Sequence, residues 1–183
     1  MTQRVRPQTG REAARALLKQ HRVSRAPVDV EALATKLGAV ISYAPYKEAL
    51  SGVLVKEKTK TVIGVNSAHP KTRQRFTIAH ELGHLALEHQ GELFVDEMVQ
   101  TDRSVLRRDS RSSRAVDAAE IEANRFAAEL LMPEPLVLEA LVRRQTRAEM
   151  SQEEIIQDLA REFQVSAQAM EYRLTNLGIF MPR

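Results

Sequence analysis

The segment that most constrains this chain is residues 72–89, a predicted helix whose apolar side chains fall on nearly every side. A helix of that kind is buried inside a protein. It nevertheless contains two histidines and a glutamate, in the sequence HELGH over residues 80–84. Burying three ionisable side chains is costly unless something pairs with them. The chain must therefore fold so that a partner for these groups reaches the helix.

The spacing of the three side chains indicates a metal ion as that partner. His80 and His84 are four residues apart, so they share one helix face and lie about 6 Å apart along the axis. Two imidazoles placed in this way can bind one metal ion at ~2.0–2.1 Å each. Glu81 is one step round the helix, where it can take a proton from a water molecule. This is the H-E-x-x-H arrangement of zinc peptidases. We predict His80 and His84 as metal ligands, Glu81 as the catalytic base, and Zn²⁺ as the ion, with Mn²⁺ or another divalent ion as alternatives.

A catalytic zinc site needs a third protein ligand and one open position. The metzincin pattern, which would supply a third histidine, fails because residue 90 is glutamine and His89 is one residue out of phase. We interpret His89 as a polar residue at the end of the helix. The third ligand is therefore expected from another part of the chain.

A later predicted helix, ended by Pro133, offers three glutamates. Glu120 shares its face with apolar residues, whereas Glu122 and Glu129 lie on a more polar side that we expect to be solvated. A carboxylate on a buried face needs a partner. We therefore predict Glu120 as the third ligand, with Glu122 as the main alternative. Asn124 lies on the same face as Glu120, where it could hold a ligating histidine by its other ring nitrogen.

The rest of the pattern predicts an α+β fold that is mainly helical. Three short runs rich in Val and Ile, at residues 39–43, 52–56 and 61–65, predict a small antiparallel sheet. We expect this sheet to pack beside the H-E-x-x-H helix, as in zincin-like folds. Tyr43, Tyr46 and His69 are candidates by residue type for an oxyanion-stabilising group.

Composition excludes several classes of protein. The chain has 183 residues, of which 43% are hydrophobic and 28% charged, and it has no cysteine. A disulfide scaffold and a cysteine nucleophile are therefore excluded. No stretch approaches the ~20 apolar residues of a membrane span, and residues 1–10 lack the apolar core of a secretory signal. We expect a cytoplasmic protein with no membrane contact.

The motifs together resemble the ImmA/IrrE family of zinc-dependent metallopeptidases. HELGH is preceded by RQRFTIA at residues 73–79 and followed by EIEANRFAAELLMP at residues 120–133. The family's Glu-x-x-x-Asn/Asp spacing maps onto Glu120 and Asn124, similar to the gluzincin arrangement. The resemblance implies an endopeptidase that cleaves or inactivates a helix-turn-helix repressor of the Xre type. Cleavage would relieve repression of a stress-response, mobile-element or antiphage-defence operon, with single-stranded DNA as a candidate activating signal.

We divide the chain into a metallopeptidase domain at residues 1–150 and a helix-turn-helix-like module at residues 151–183. The N-terminal helices and the sheet occupy residues 10–66, and the metal-site helices occupy residues 70–132. Between those helices, residues 101–114 have five arginines and four serines, and we predict a mobile basic loop there.

Nucleic-acid contact is an open alternative for the basic residues. The loop is either solvated or a nucleic-acid sensor or lid, and its five arginines are Arg103, Arg107, Arg108, Arg111 and Arg114. The C-terminal module has Gln164 at the turn position usually occupied by glycine, and Arg173 is the only basic residue of its second helix. A helix that contacts phosphates should be more basic. The alternative function is a DNA- or repressor-binding regulator that acts mainly by binding and not by proteolysis.

Overall fold

The computed structural model describes residues 9–47, 49–89, 93–97, 110–145 and 150–180, with backbone alone for 93–97, 110–117 and 145. Seven helices and four strands are found in this described part of the chain, and the α+β prediction is confirmed. In chain order they are α1 (Gly10–Gln20), α2 (Val30–Lys36), β1 (Ala39–Ala44), β2 (Leu50–Lys56), β3 (Thr61–Asn66), α3 (Lys71–Ala86), β4 (Leu93–Glu97), α4 (Ser110–Leu131), α5 (Glu134–Gln145), α6 (Gln152–Phe163) and α7 (Ala167–Asn176).

The sheet has the strand order β1-β3-β2-β4 and is mixed, so the prediction of an antiparallel sheet is wrong for one pair. Strand β1 runs parallel to β3, with Ile41 opposite Ile63, whereas β2 is antiparallel to both β3 and β4. After β1 the chain crosses the end of β3 and enters β2, which lies on the side of β3 opposite β1. The buried Asn66 side chain supports this crossing, because it accepts from the Tyr46 N–H and donates to the Leu50 carbonyl at 2.8 Å. Strand β4 was not predicted from the sequence.

Two glycines allow α3 to pack closely between the sheet and α4. A Cβ added to Gly52 of β2 would lie 2.2 Å from Cγ2 of Thr77. A Cβ added to Gly83 of α3 would lie 3.0 Å from Cα of Ala123 in α4. Any larger residue at either position would push α3 away from its neighbour. These contacts fix α3 against both the strand and the helix that surround the histidine pair.

Helix α4 begins earlier than the sequence indicated. The predicted loop at residues 101–114 is wrong for residues 110–114, because the helix starts at Ser110. No glycine or proline interrupts residues 110–131, and arginine and alanine both favour helix. Arg111 and Arg114 therefore belong to α4, whereas Arg103, Arg107 and Arg108 lie outside the described residues.

The two C-terminal helices form the predicted helix pair, and they pack on the rest of the molecule. Gln164 ends α6 in the left-handed conformation, with φ 54° and ψ 49°. The buried residues Phe163, Met170 and Leu174 belong to the same core cluster as residues of α1, α3 and α4. The division of the chain at residue 150 stays a prediction. No helix in the described part of the chain is long and apolar enough to cross a membrane.

Candidate metal centre

Helix α3 carries its two histidines and Glu81 into the interior of the protein. His80, Glu81 and His84 are all at most 4% exposed. The two Nε2 atoms of the histidines face each other at 3.1 Å. The i and i+4 spacing has therefore placed both imidazoles at one point, as the sequence indicated.

Glu120 joins the histidines from α4. Its Oε2 lies 3.2 Å from Nε2 of His80, and its Oε1 lies 3.3 Å from Nε2 of His84. Neighbouring ligand atoms around a tetrahedral zinc, with bonds of ~2.0–2.1 Å, are about 3.3 Å apart. The three side chains are therefore placed to bind one metal ion, and two imidazoles with a carboxylate suit zinc and other divalent ions. The Glu120 side chain is 43% exposed, so the group opens to solvent on the side of α4.

The contacts with the histidines also control the charge of Glu120. Partial burial on its own would raise the pKa of this carboxyl, but the hydrogen bonds and charges of His80 and His84 outweigh burial and hold the pKa well below its ordinary value. A glutamate is ionised at neutral pH in any case, and the lowered pKa extends the charged form, which a metal ligand requires, further into acid.

Asn124 lies beside His80 on the side away from Glu120. Its Oδ1 is 3.1 Å from Nδ1 of His80. An amide oxygen only accepts hydrogen bonds, so Nδ1 of His80 donates to Asn124, and Nε2 is the ring nitrogen left to bind a metal ion. This is the position that the sequence predicted for Asn124, one helical turn after Glu120.

Glu81 is the most enclosed carboxylate of the site, at 0% exposure. A Cβ placed on Gly52 of β2 would lie 3.6 Å from its Oε1, so Glu81 lies between α3 and the sheet. Lys56 at the end of β2 is near enough for its charge to interact with Glu81. Burial lowers the pKa of Lys56, and the charges of Glu81 and Glu88 partly oppose that shift.

The other two glutamates of α4 have partners away from the histidines. Glu122 accepts from the N–H of Gly10 and pairs with Arg125 at 2.8 Å. Glu129 is 1% exposed, so the prediction of a solvated side chain is wrong for this residue. It pairs with Arg15 at 2.9 Å and with Arg173 at 2.5 Å. Helical phase alone did not reveal Glu129, because its cations come from α1 and α7.

The three oxyanion candidates have other contacts. The Tyr43 hydroxyl donates to Glu31 at 2.5 Å, and a Cβ on Gly64 would lie 2.8 Å from the Tyr46 hydroxyl. His69 lies before the start of α3, where its carbonyl accepts from Gln74 at 2.7 Å. Their role in catalysis stays a prediction without support from these contacts.

The family model of the IrrE N-terminal-like domain matches residues 34–175, which include α3, α4 and all three candidate ligands. The chain belongs to this family. The expected membership of the ImmA/IrrE family is therefore confirmed. Within it, the chain is 34% identical over 114 residues to the radiation response metalloprotease IrrE of Deinococcus radiodurans. That match covers 62% of this chain and 30% of the relative, so the chain spans well under half of the relative's length.

His89 lies beside the site of this IrrE-like chain. Its position out of helical phase predicts no contact with the histidine pair, and that interpretation is wrong, because its Nδ1 lies 2.9 Å from Nδ1 of His84. The chain turns at Glu88, which has a φ of 54°. That turn takes His89 out of helical phase and brings its ring back to His84. The helical periodicity that located the candidate ligands therefore could not locate His89.

Proposed function

We propose that this protein is a zinc-dependent endopeptidase. The observation that carries the proposal is the convergence of His80, His84 and Glu120 on one point beside the buried Glu81. Membership of the IrrE-like family supports it, and the relative in Deinococcus radiodurans is named a metalloprotease. The opening on the side of Glu120 gives a substrate access to this point.

The donor atoms fit a divalent ion, and His80, His84 and Glu120 would hold it. When bound, such an ion supplies a Lewis acid that polarises a carbonyl and lowers the pKa of water towards neutrality. His80 would contribute Nε2, because Asn124 holds the proton on the other ring nitrogen. The negative charge of Glu120 would offset part of the charge of the ion.

Glu81 is the proposed general base. It follows His80 directly on α3, so its carboxylate lies beside the ligands and not opposite them. In this position Glu81 takes a proton from the attacking water and later gives that proton to the leaving amine. Its enclosure between α3 and β2 keeps bulk water away from the carboxylate and fixes its direction, which favours transfer to a reacting group held at the site.

The proposed substrate is a helix-turn-helix repressor of the Xre type, as the family resemblance implies. Its cleavage would relieve repression of a stress-response, mobile-element or antiphage-defence operon, and single-stranded DNA is the proposed activating signal. The cytoplasmic location follows from this role and is part of the same proposal. The arginines proposed to contact the DNA are those of residues 103–114.

The test is cleavage of an Xre-type repressor, taken from a gene neighbouring this one where such a repressor is encoded there. The zinc-loaded protein is incubated with the repressor, with and without single-stranded DNA, and intact masses are measured. Glu81→Gln is expected to bind zinc like the wild type and to lose cleavage by at least a hundredfold, the range of a lost general base. Glu153→Gln makes the same chemical change on the exposed side of α6 and is expected to cleave normally.

Cleavage by Glu81→Gln at the wild-type rate would contradict the role given to Glu81. An intact repressor under all conditions, with zinc confirmed in the wild-type protein, would contradict the proposed substrate and favour a regulator that acts by binding. A single cut made only by proteins with Glu81 would support the proposal and identify the scissile bond.

A further inference from the structure

We propose that His89 is the positioning residue for His84, and that it is part of the metal-binding machinery. In this arrangement Nδ1 of His84 donates a hydrogen bond to Nδ1 of His89, which fixes the ring so that Nε2 points at the ion. The inference rests on the metal site of the proposed function and is independent of which substrate is cleaved.

The distances determine which ring nitrogen does which task. Nε2 of His84 is the atom that faces Nε2 of His80 and the carboxylate of Glu120. A nitrogen that binds a metal ion gives up its proton, so the proton of neutral His84 stays on Nδ1. That Nδ1 lies 2.9 Å from Nδ1 of His89. His89 therefore accepts the hydrogen bond and carries its own proton on Nε2.

Two hydrogen bonds to the backbone groups of His89 hold this residue in place. Helix α3 ends at Ala86, and the left-handed residue Glu88 reverses the chain so that the N–H of His89 donates to the carbonyl of His84 at 3.1 Å. From the sheet, Nζ of Lys56 donates to the carbonyl of His89, also at 3.1 Å. The two rings are 5.0 Å apart at 71°, an edge-to-face contact. A residue whose backbone N–H and carbonyl are both hydrogen-bonded can hold a neighbouring side chain in one orientation.

Each of the two ligating histidines thus has a hydrogen-bond acceptor at its Nδ1, and a different residue supplies it in each case. His80 has its Nδ1 against Oδ1 of Asn124, and His84 has its Nδ1 against Nδ1 of His89. In both cases Nε2 faces Glu120. Groups that accept from the outer nitrogen of a metal-bound histidine fix its tautomer, and removing one typically lowers metal affinity 10–100-fold. His89 is the acceptor that the sequence did not reveal.

The test measures zinc affinity of the full chain by competition with a chromophoric chelator. His89→Leu removes the acceptor at similar size and is expected to weaken zinc binding at least about tenfold. His89→Asn places an amide oxygen where Nδ1 was, and it is expected to restore most of the affinity. Asn124→Leu is the matched comparison on the other histidine and is expected to lose a similar factor. Thermal unfolding of the metal-free variants checks that each one folds.

A second readout reports the site itself. The visible absorption of bound Co²⁺ depends on the orientation of its ligands, so His89→Leu is expected to change the spectrum and His89→Asn to bring it back towards the wild type. Wild-type affinity and spectrum for His89→Leu would overturn the inference. Equal losses for the Leu and Asn variants would also overturn it, since shape and not hydrogen bonding would then matter. Zinc affinities that follow this order, without any proteolysis by the wild type, would support the inference while the proposed function fails.

Discussion

Glu129 and Arg173 form an ion pair that is almost wholly removed from water, at 1% and 3% exposure. Arg173 also donates its Nε to the carbonyl of Met132 at 2.9 Å, so the guanidinium joins α7 to the end of α4. Burial would raise the pKa of Glu129, but the hydrogen bonds and charges of Arg15 and Arg173 outweigh burial and lower it. Buried charges of this kind are stable only as a pair.

Removing one member of this pair is expected to destabilise the protein strongly. Glu129→Leu leaves the buried Arg173 without its carboxylate and should lower the free energy of unfolding by about 3 kcal/mol or more. The double variant Glu129→Leu/Arg173→Met removes both charges and should recover most of that loss. Urea unfolding measures all three proteins. A double variant as unstable as the single one would contradict the account of the pair.

The same pair predicts a pH dependence with a definite sign. Because the pKa of Glu129 is lower in the folded protein than in the unfolded chain, its contribution to stability is present above the unfolded pKa. It is lost as the pH falls through the folded pKa. The difference in unfolding free energy between the wild type and Glu129→Gln should therefore be constant near neutral pH and shrink in acid. A difference that grew in acid would contradict this assignment.

At the scale of elements, the contact between α3 and α4 brings Glu120 to the histidines. Gly83 makes that contact possible, because a Cβ there would lie 3.0 Å from Cα and 3.2 Å from the carbonyl oxygen of Ala123. Both atoms belong to the backbone, so they yield only if a helix moves. The proposed metal centre depends on this spacing as much as on the candidate ligands themselves.

Gly83→Ala raises helix propensity but worsens the packing of α3 on α4, so its effect shows which of the two matters more for the site. Alanine favours an isolated helix by about 1 kcal/mol over glycine, but the methyl group would push α4 away and move Glu120 from the histidines. We expect the variant to bind zinc more weakly than the wild type, in the same chelator competition, despite the gain in propensity. Glu171→Gly on the exposed side of α7 is the control, and it should lose about 1 kcal/mol of stability without any change in zinc affinity.

At the scale of the whole molecule, the predictable parts are those that a single helix determines. The spacing of His80 and His84 and the phase of Glu120 and Asn124 follow from helical geometry, and the structure brings these four residues together. The parallel pairing of β1 depends on a connection that the buried Asn66 supports, and the partners of Glu129 come from distant helices. Such contacts leave no local periodicity in a sequence.

His89 is intermediate between residues placed by helical geometry and residues placed by contacts that are distant in sequence. It is only five residues from His84, but its position depends on the left-handed turn at Glu88, a residue that rarely adopts this conformation. A histidine just after an H-E-x-x-H helix therefore has to be judged by the turn that precedes it.

The most direct test of the account is the zinc content and zinc affinity of the wild type, Glu120→Gln and Glu122→Gln. We predict one tightly bound zinc ion per chain for the wild type and for Glu122→Gln, because Glu122 pairs with Arg125 and Gly10. We predict a large loss of affinity for Glu120→Gln, which removes the ligand charge while keeping the size of the side chain. Wild-type affinity for Glu120→Gln, or a loss confined to Glu122→Gln, would contradict the metal centre proposed for this protein.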